Sequence, residues 1–276
     1  MSETTPMTPH GMTNGRVLLT LDGKVAILTL NDPAVLNAFG VKLKADITEA
    51  LDRVDASGAR CLVITGAGNA FCSGANLNDK DRKPRDRMAE VRGTAKSDLE
   101  IWYHPTFQRL RSMEIPIITA INGIAAGAGM SLALSGDIKI AAKSASFLQA
   151  FARIGLVPDA GSSYILPRLI GQARAVEMSL LAERLPAEKA MEWGMVNRLV
   201  EDADLMPSTL ALARQLADGP RSLGLIRKLY WDSMENTYAE QLSAEGRLQL
   251  MAGLSEDHAE GVAAFREKRK AVFQGR

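Results

Sequence analysis

The apolar positions of this chain change their period several times, and each change marks an element. Residues 16–21 and 24–30 are two apolar-rich runs flanking Asp22-Gly23, a two-residue hairpin signal because glycine tolerates positive φ. Leu43, Ile47, Ala50, Leu51 and Val54 then recur at helical spacing and predict one amphipathic helix. Residues 61–65 read as a short buried strand closed by Gly66-Ala67-Gly68. Residues 116–121 repeat the theme: an apolar strand, Asn-Gly, then a helix from about Gly129. A third strand is expected over 138–142 and a fourth over 145–151. A further helix is expected to start near Ser162. Strands alternating with helices predict an α/β architecture.

From about residue 186 the pattern becomes helical. Tyr238, Leu242, Leu248 and Met251 form one apolar stripe, and Ala263, Ala264 and Phe265 another. Such an appendix either builds an oligomer or packs on its own core. The predicted organisation is a disordered tail over 1–13, a core over 14–200 and a helical region over 201–276.

Composition narrows the class. At 276 residues, 46% hydrophobic and 24% charged, the chain reads as a soluble globular protein able to bury a large core. A net charge of +1 offers no field to attract nucleic acid or a membrane surface. Two cysteines, Cys61 and Cys72, make no disulfide framework and point to a reducing cytoplasm. No apolar run has the length of a membrane span, and the polar first 13 residues lack a hydrophobic signal core. Residues 79–87 carry eight charges in nine positions. They read as a solvated, mobile loop, or as one whose Lys and Arg residues meet phosphates.

Two small-residue stretches and one acid carry the chemistry. Residues 70–77 follow the strand at 61–65, and Gly127-Ala128-Gly129 follows the strand at 116–121. With those strands adjacent, the amides of Ala75 and Ala128 converge on one oxygen and stabilise an oxyanion. The alternative is a pair of ordinary tight turns. Asp159 follows Pro158 in an apolar setting of Phe147, Phe151, Ile154, Leu156 and Val157, which favours a raised pKa and proton transfer. Its alternative role is a cap on the helix near Ser162. Other chemistries fail sooner. The Gly-x-Gly pairs at 66–68 and 127–129 lack the third glycine, with Phe71 and Leu132 in its place. No metal spacing joins His10, His104 and His258, so no metal is expected. His104, beside Pro105, reads as a loop or helix-start residue. Ser131 has no base in pattern, and Cys72 reads as a buried thiol.

These motifs together resemble the enoyl-CoA hydratase/isomerase (crotonase) superfamily over about residues 15–276. The resemblance rests on Leu36-Asn37-Ala38-Phe39, Ile64-Thr65-Gly66, residues 70–75, 122–134 and 154–168, Glu192-Trp193-Gly194-Met195-Val196, and residues 260–269. It implies a spiral of ββα turns, a trimerising helical C-terminal region, and a homotrimer or a hexamer of paired trimers. It implies an acyl-CoA substrate held by the Ala75 and Ala128 amides, with coenzyme A entering as part of that substrate and no other cofactor. Leu36, Asn37, Ala38, Asn76, Leu77, Phe151, Phe265 and Lys268 are the implied CoA and substrate contacts. Hydratases of the family use two glutamates; Ser131 and Phe151 stand at those positions here. Its isomerases place one acid eight residues after the second, which is Asp159. The phrases around 125–138 and 155–161 are most similar to the family's 1,2-epoxyphenylacetyl-CoA isomerase branch, although Asn76 stands where that branch has Asp. The implied reaction shifts a double bond or rearranges a ring epoxide. Hydration, thioester hydrolysis or mere acyl-CoA binding are the alternatives.

Overall fold

Alternating burial along the central strands explains the architecture. The computed structural model describes residues 9–276. In strand β3 (Val25–Leu30), Ala26, Leu28 and Leu30 pack on the side of the helix Val41–Ala56, while Val25 and Ile27 pack on the side of the helix Leu205–Ala217. The same split recurs in β4 (Cys61–Gly66), β6 (Ile117–Ile121) and β8 (Ile138–Ala142). Side chains alternate across a strand, so helices on both faces demand apolar residues at nearly every position.

Among the described residues, β1 (His10–Gly11), β2 (Val17–Asp22), β3, β4, β6, β8 and β11 (Arg198–Val200) form a seven-stranded sheet in that order. It is antiparallel from β1 to β3 and parallel beyond. A second sheet has the order β10 (Leu185–Pro186), β9 (Ser146–Leu148), β7 (Ile124–Ala126), β5 (Ala70–Cys72). The pairs β4/β5, β6/β7 and β8/β9 each give one strand to each sheet, so successive turns stack as a spiral. This is the α/β spiral expected from sequence, with helices after residue 205. Among the described residues no helix is long and apolar enough to cross a membrane.

Several boundaries differ from the sequence reading. The tail expected over 1–13 lies outside the described residues up to position 8; beyond it, His10 and Gly11 pair with Leu19 and Leu18, and Met12 is buried. The hairpin turn is Gly23-Lys24, because Asp22 pairs with Val25. The strand expected over 145–151 stops at Leu148 and becomes a 3-10 turn, Ala150–Ile154. The stretch after residue 186 holds β11, and the helix Leu205–Ala217 covers the sheet rather than joining an appendix. The charged loop at 79–87 is pinned: Asp79 accepts the Val41 N–H at 2.6 Å and so caps the helix Val41–Ala56, whose own N-cap is Gly40. Asp81 pairs with Lys42 at 2.8 Å, and Arg85 with Glu90 at 2.6 Å.

Candidate active site

The two small-residue turns meet. A Cβ on Gly74, whose φ is +96°, would lie 2.8 Å from the Ala126 carbonyl and 3.7 Å from the Gly127 Cα. A Cβ on Gly129 would lie 2.1 Å from the Cys72 carbonyl. Only glycine permits such approach, and it brings the loop carrying Ala75 against the helix Ala128–Leu134. The loop is also tied to Phe39, whose N–H donates to the Gly74 carbonyl at 2.7 Å and whose carbonyl accepts the Asn76 N–H at 3.1 Å. The Ala75 N–H has no acceptor among the described residues, and Ala128, opening its helix, has none inside that helix. Two free donors in adjoining turns can stabilise one oxyanion.

Asp159 is tied to the second of these turns through Ser131. Its carbonyl accepts the Ser131 Oγ–H and the Ser162 Oγ–H, both at 3.0 Å, and the Ser162 N–H at 3.1 Å. Ser131 lies on the helix that starts at Ala128, so these bonds fix the acid relative to the Ala128 turn. Ala160 follows with φ of 51°, a left-handed conformation that costs a β-carbon residue about 1 kcal/mol. The carboxylate itself is unpartnered: Oδ1 is buried without a hydrogen bond among the described residues. Burial pushes Asp159 up to about 6, against a smaller opposing influence from His104. The helix Ser162–Ile170 has Gly161 at its N-cap and no side-chain cap, which removes capping as the role of Asp159.

A half-buried, donorless acid tied to a turn with free amides is one constellation, and the comparisons give it a family. The sequence profile described as enoyl-CoA hydratase/isomerase matches residues 20–276. The chain is 42% identical over 262 residues to 1,2-epoxyphenylacetyl-CoA isomerase of Escherichia coli (strain K12), covering 94% of this chain and 98% of that protein. The chain belongs to the enoyl-CoA hydratase/isomerase family. It is also 42% identical over 253 residues to a protein of Rhodobacter capsulatus named "Probable enoyl-CoA hydratase", covering 91% of this chain and 95% of the other. The crystal structure of an enoyl-CoA hydratase from Polaromonas sp. JS666 superposes with a TM-score of 0.82 at 32% identity, over 94% of this chain and 99% of that one.

Within this crotonase frame the other candidate residues differ in their surroundings. Leu36 (φ 53°), Asn76 and Leu77 line accessible edges of the turns; Asn76 Oδ1 accepts the Asn78 N–H at 3.1 Å. Ala38 is buried, and Phe151 is buried with its ring 3.9 Å from the Cβ position of Gly127. Asn37 is corrected to a structural residue. It is fully buried, donates to the Ala67 and Ala70 carbonyls at 2.9 and 2.8 Å, and accepts the Asp32 N–H at 2.9 Å. Its side chain is occupied by backbone and cannot reach a ligand. Phe265 is exposed, and Lys268 caps the helix Glu256–Glu267 with φ of 55°; among the described residues no backbone hydrogen bond joins them to the Asp159 turn.

The apolar wall expected around Asp159 is also corrected. Phe147 and Phe151 are buried, but Ile154, Leu156 and Val157 are exposed because the loop projects outward. One residue distant in sequence, Tyr103, lies within electrostatic reach of Asp159. Tyr103 is buried, meets the Phe39 ring edge-on at 5.4 Å, and lies beneath Lys44. Burial pushes its phenol up, and the charges of Asp98 and then Asp159 add to that. Nothing in the local pattern marked Tyr103. Cys72, read from sequence as a buried thiol, is fully buried and pushed up to about 12, so it is no thiolate at neutral pH.

Proposed function

We propose that this family member is an acyl-CoA isomerase working with a single acid/base, Asp159. The thioester carbonyl sits against the Ala75 and Ala128 N–H groups. Ionised Asp159 takes a proton from C2 of a 3-enoyl thioester; the electron pair enters the oxyanion-stabilised dienolate, and the proton returns at C4 to give the 2-enoyl product. With a ring epoxide the same dienolate-forming geometry would assist rearrangement. One observation carries the reading: the only unpartnered carboxylate in the constellation is Asp159, while Ser131 and Phe151 occupy the positions where two-glutamate hydratases of the resemblance hold their acids. Ser131 has its hydroxyl committed to the Asp159 carbonyl, and Phe151 has no proton to give.

The reading includes assembly as a homotrimer or hexamer. Supporting it, Tyr238, Leu242 and Met251 of the helix Tyr238–Gly253 are exposed in the single chain, as is Phe265. Lys268 and Phe265 would then contact coenzyme A from a neighbouring subunit. The decisive experiment is turnover of an enoyl-CoA in heavy-oxygen water. Isomerisation leaves the product free of label; incorporation would establish hydration or hydrolysis and overturn the proposal.

A further inference from the structure

Four buried side-chain nitrogen or oxygen atoms among the described residues lack a hydrogen-bond partner, and three of them lie on one loop. These are Nε2 and Oε1 of Gln149 and Oδ1 of Asp159; the fourth, Thr209 Oγ1, belongs to the helix Leu205–Ala217. Native proteins rarely bury a carboxamide with both ends unpaired, because its lost hydration is not recovered.

Gln149 is 1% exposed. It follows Leu148, whose carbonyl accepts the Gly127 N–H at 2.9 Å. Two residues later comes Phe151, with its ring 3.9 Å from the Cβ position of Gly127. Both contacts fall on Gly127, the residue that precedes Ala128, so the backbone on either side of the glutamine lies against that turn. The neighbouring residues Ala126, Phe147, Leu148 and Phe151 are apolar and all buried. Ser131 supplies no partner either: its Oγ–H donates to the Asp159 carbonyl at 3.0 Å, and both polar atoms of Gln149 are unpaired. The proposed reaction also leaves Gln149 idle, because the thioester carbonyl has two amides and the migrating proton has Asp159. A carboxamide offers one donor face and one acceptor face, and its natural complement is an oxygen function brought in by the ligand.

We infer that Gln149 is a specificity residue that hydrogen-bonds an oxygen carried on the acyl group, so that oxygenated acyl-CoA thioesters are preferred over plain hydrocarbon ones. This rests on the acyl-CoA reading of the site given above. A site built to pair a ligand oxygen rejects the analogue that lacks it, because the buried amide is then left unpaired.

The test is calorimetric binding of butyryl-CoA, 3-hydroxybutyryl-CoA and 4-hydroxybutyryl-CoA to wild type, Gln149→Leu and Gln149→Met, with thermal melts of each protein. Wild type should bind at least one hydroxy thioester about 10-fold or more tighter than butyryl-CoA. Both variants should lose that preference and melt no lower than wild type, since the carboxamide has no partner to lose in the free protein. Three results would overturn the inference: no preference in wild type; a preference that survives in the variants; or lower melting temperatures with parallel weakening of all three thioesters, the mark of a structural glutamine. Binding is read independently of turnover, so absence of Asp159-dependent isomerisation would count against the reaction class alone.

Discussion

Two largely buried aspartates in this chain have opposite surroundings. Asp257 accepts the N–H groups of Arg221, Gln274 and Gly275 at 2.8, 2.6 and 2.9 Å. Burial raises its pKa, but those three amides and the nearby Arg60 outweigh it and hold the carboxyl below its ordinary value. Asp159 accepts no donor at its buried Oδ1 and is pushed up to about 6. The first carboxylate rivets the last residues of the chain to the helix Glu256–Glu267. The second is kept open at a turn whose backbone, not its carboxylate, is firmly held. Burial alone does not separate a carboxylate held by the fold from one left open; the donors supplied by the fold do.

Breaking the rivet should have the largest effect on stability. Asp257→Ala strands three amides and should cost about 3 kcal/mol, several degrees in Tm by thermal melting. Asp159→Asn should act in the other direction. With its folded pKa raised from 3.8 to about 6, the native state holds more protons than the unfolded state in that window. Stability therefore falls as pH rises from about 4 to 6, by about 1–2 kcal/mol once solvent screening of the half-exposed carboxyl is allowed for. The asparagine variant should melt higher than wild type at pH 7 and lose that pH slope. In wild type the same ionisation should appear as an acid limb in kcat/KM, about tenfold per pH unit below about 6. Ser131→Ala sharpens the contrast most gently. Losing its bond to the Asp159 carbonyl should cost about 1 kcal/mol and lower kcat a few-fold with KM unchanged, as the acid drifts from the oxyanion turn.

The fold was legible wherever apolar period and length agreed. The helix Val41–Ala56 and the strands β3, β4, β6 and β8 are buried as their patterns required. The three-residue strands β5 and β7 were not, because Ala-Phe-Cys and Ile-Ala-Ala carry no alternation and pair only through their neighbours, with a register shift between Ala70 and Cys72. Of the site, the Pro-Asp-Ala-Gly turn was readable, since proline, acid and glycine are local signals. The solvent exposure of Leu156 and Val157 was not, because a loop's direction is set by what it leaves behind. Asn37 misled for a related reason. Its partners at Ala67 and Ala70 lie 30 and 33 residues away, so a polar residue in a ligand-like motif proved to be a buried brace. The unpaired state of Gln149 is likewise tertiary, and no sequence window contains it.

The central claim is that Asp159 moves the proton. It is tested most directly by following conjugated 2-hexenoyl-CoA absorbance from 3-hexenoyl-CoA at pH 7.5, wild type beside Asp159→Asn, with CoA thioester affinity measured on both. The account predicts turnover in wild type, a loss of at least about 100-fold in the variant, and similar thioester binding. Turnover retained by a folded, substrate-binding Asp159→Asn protein would contradict it.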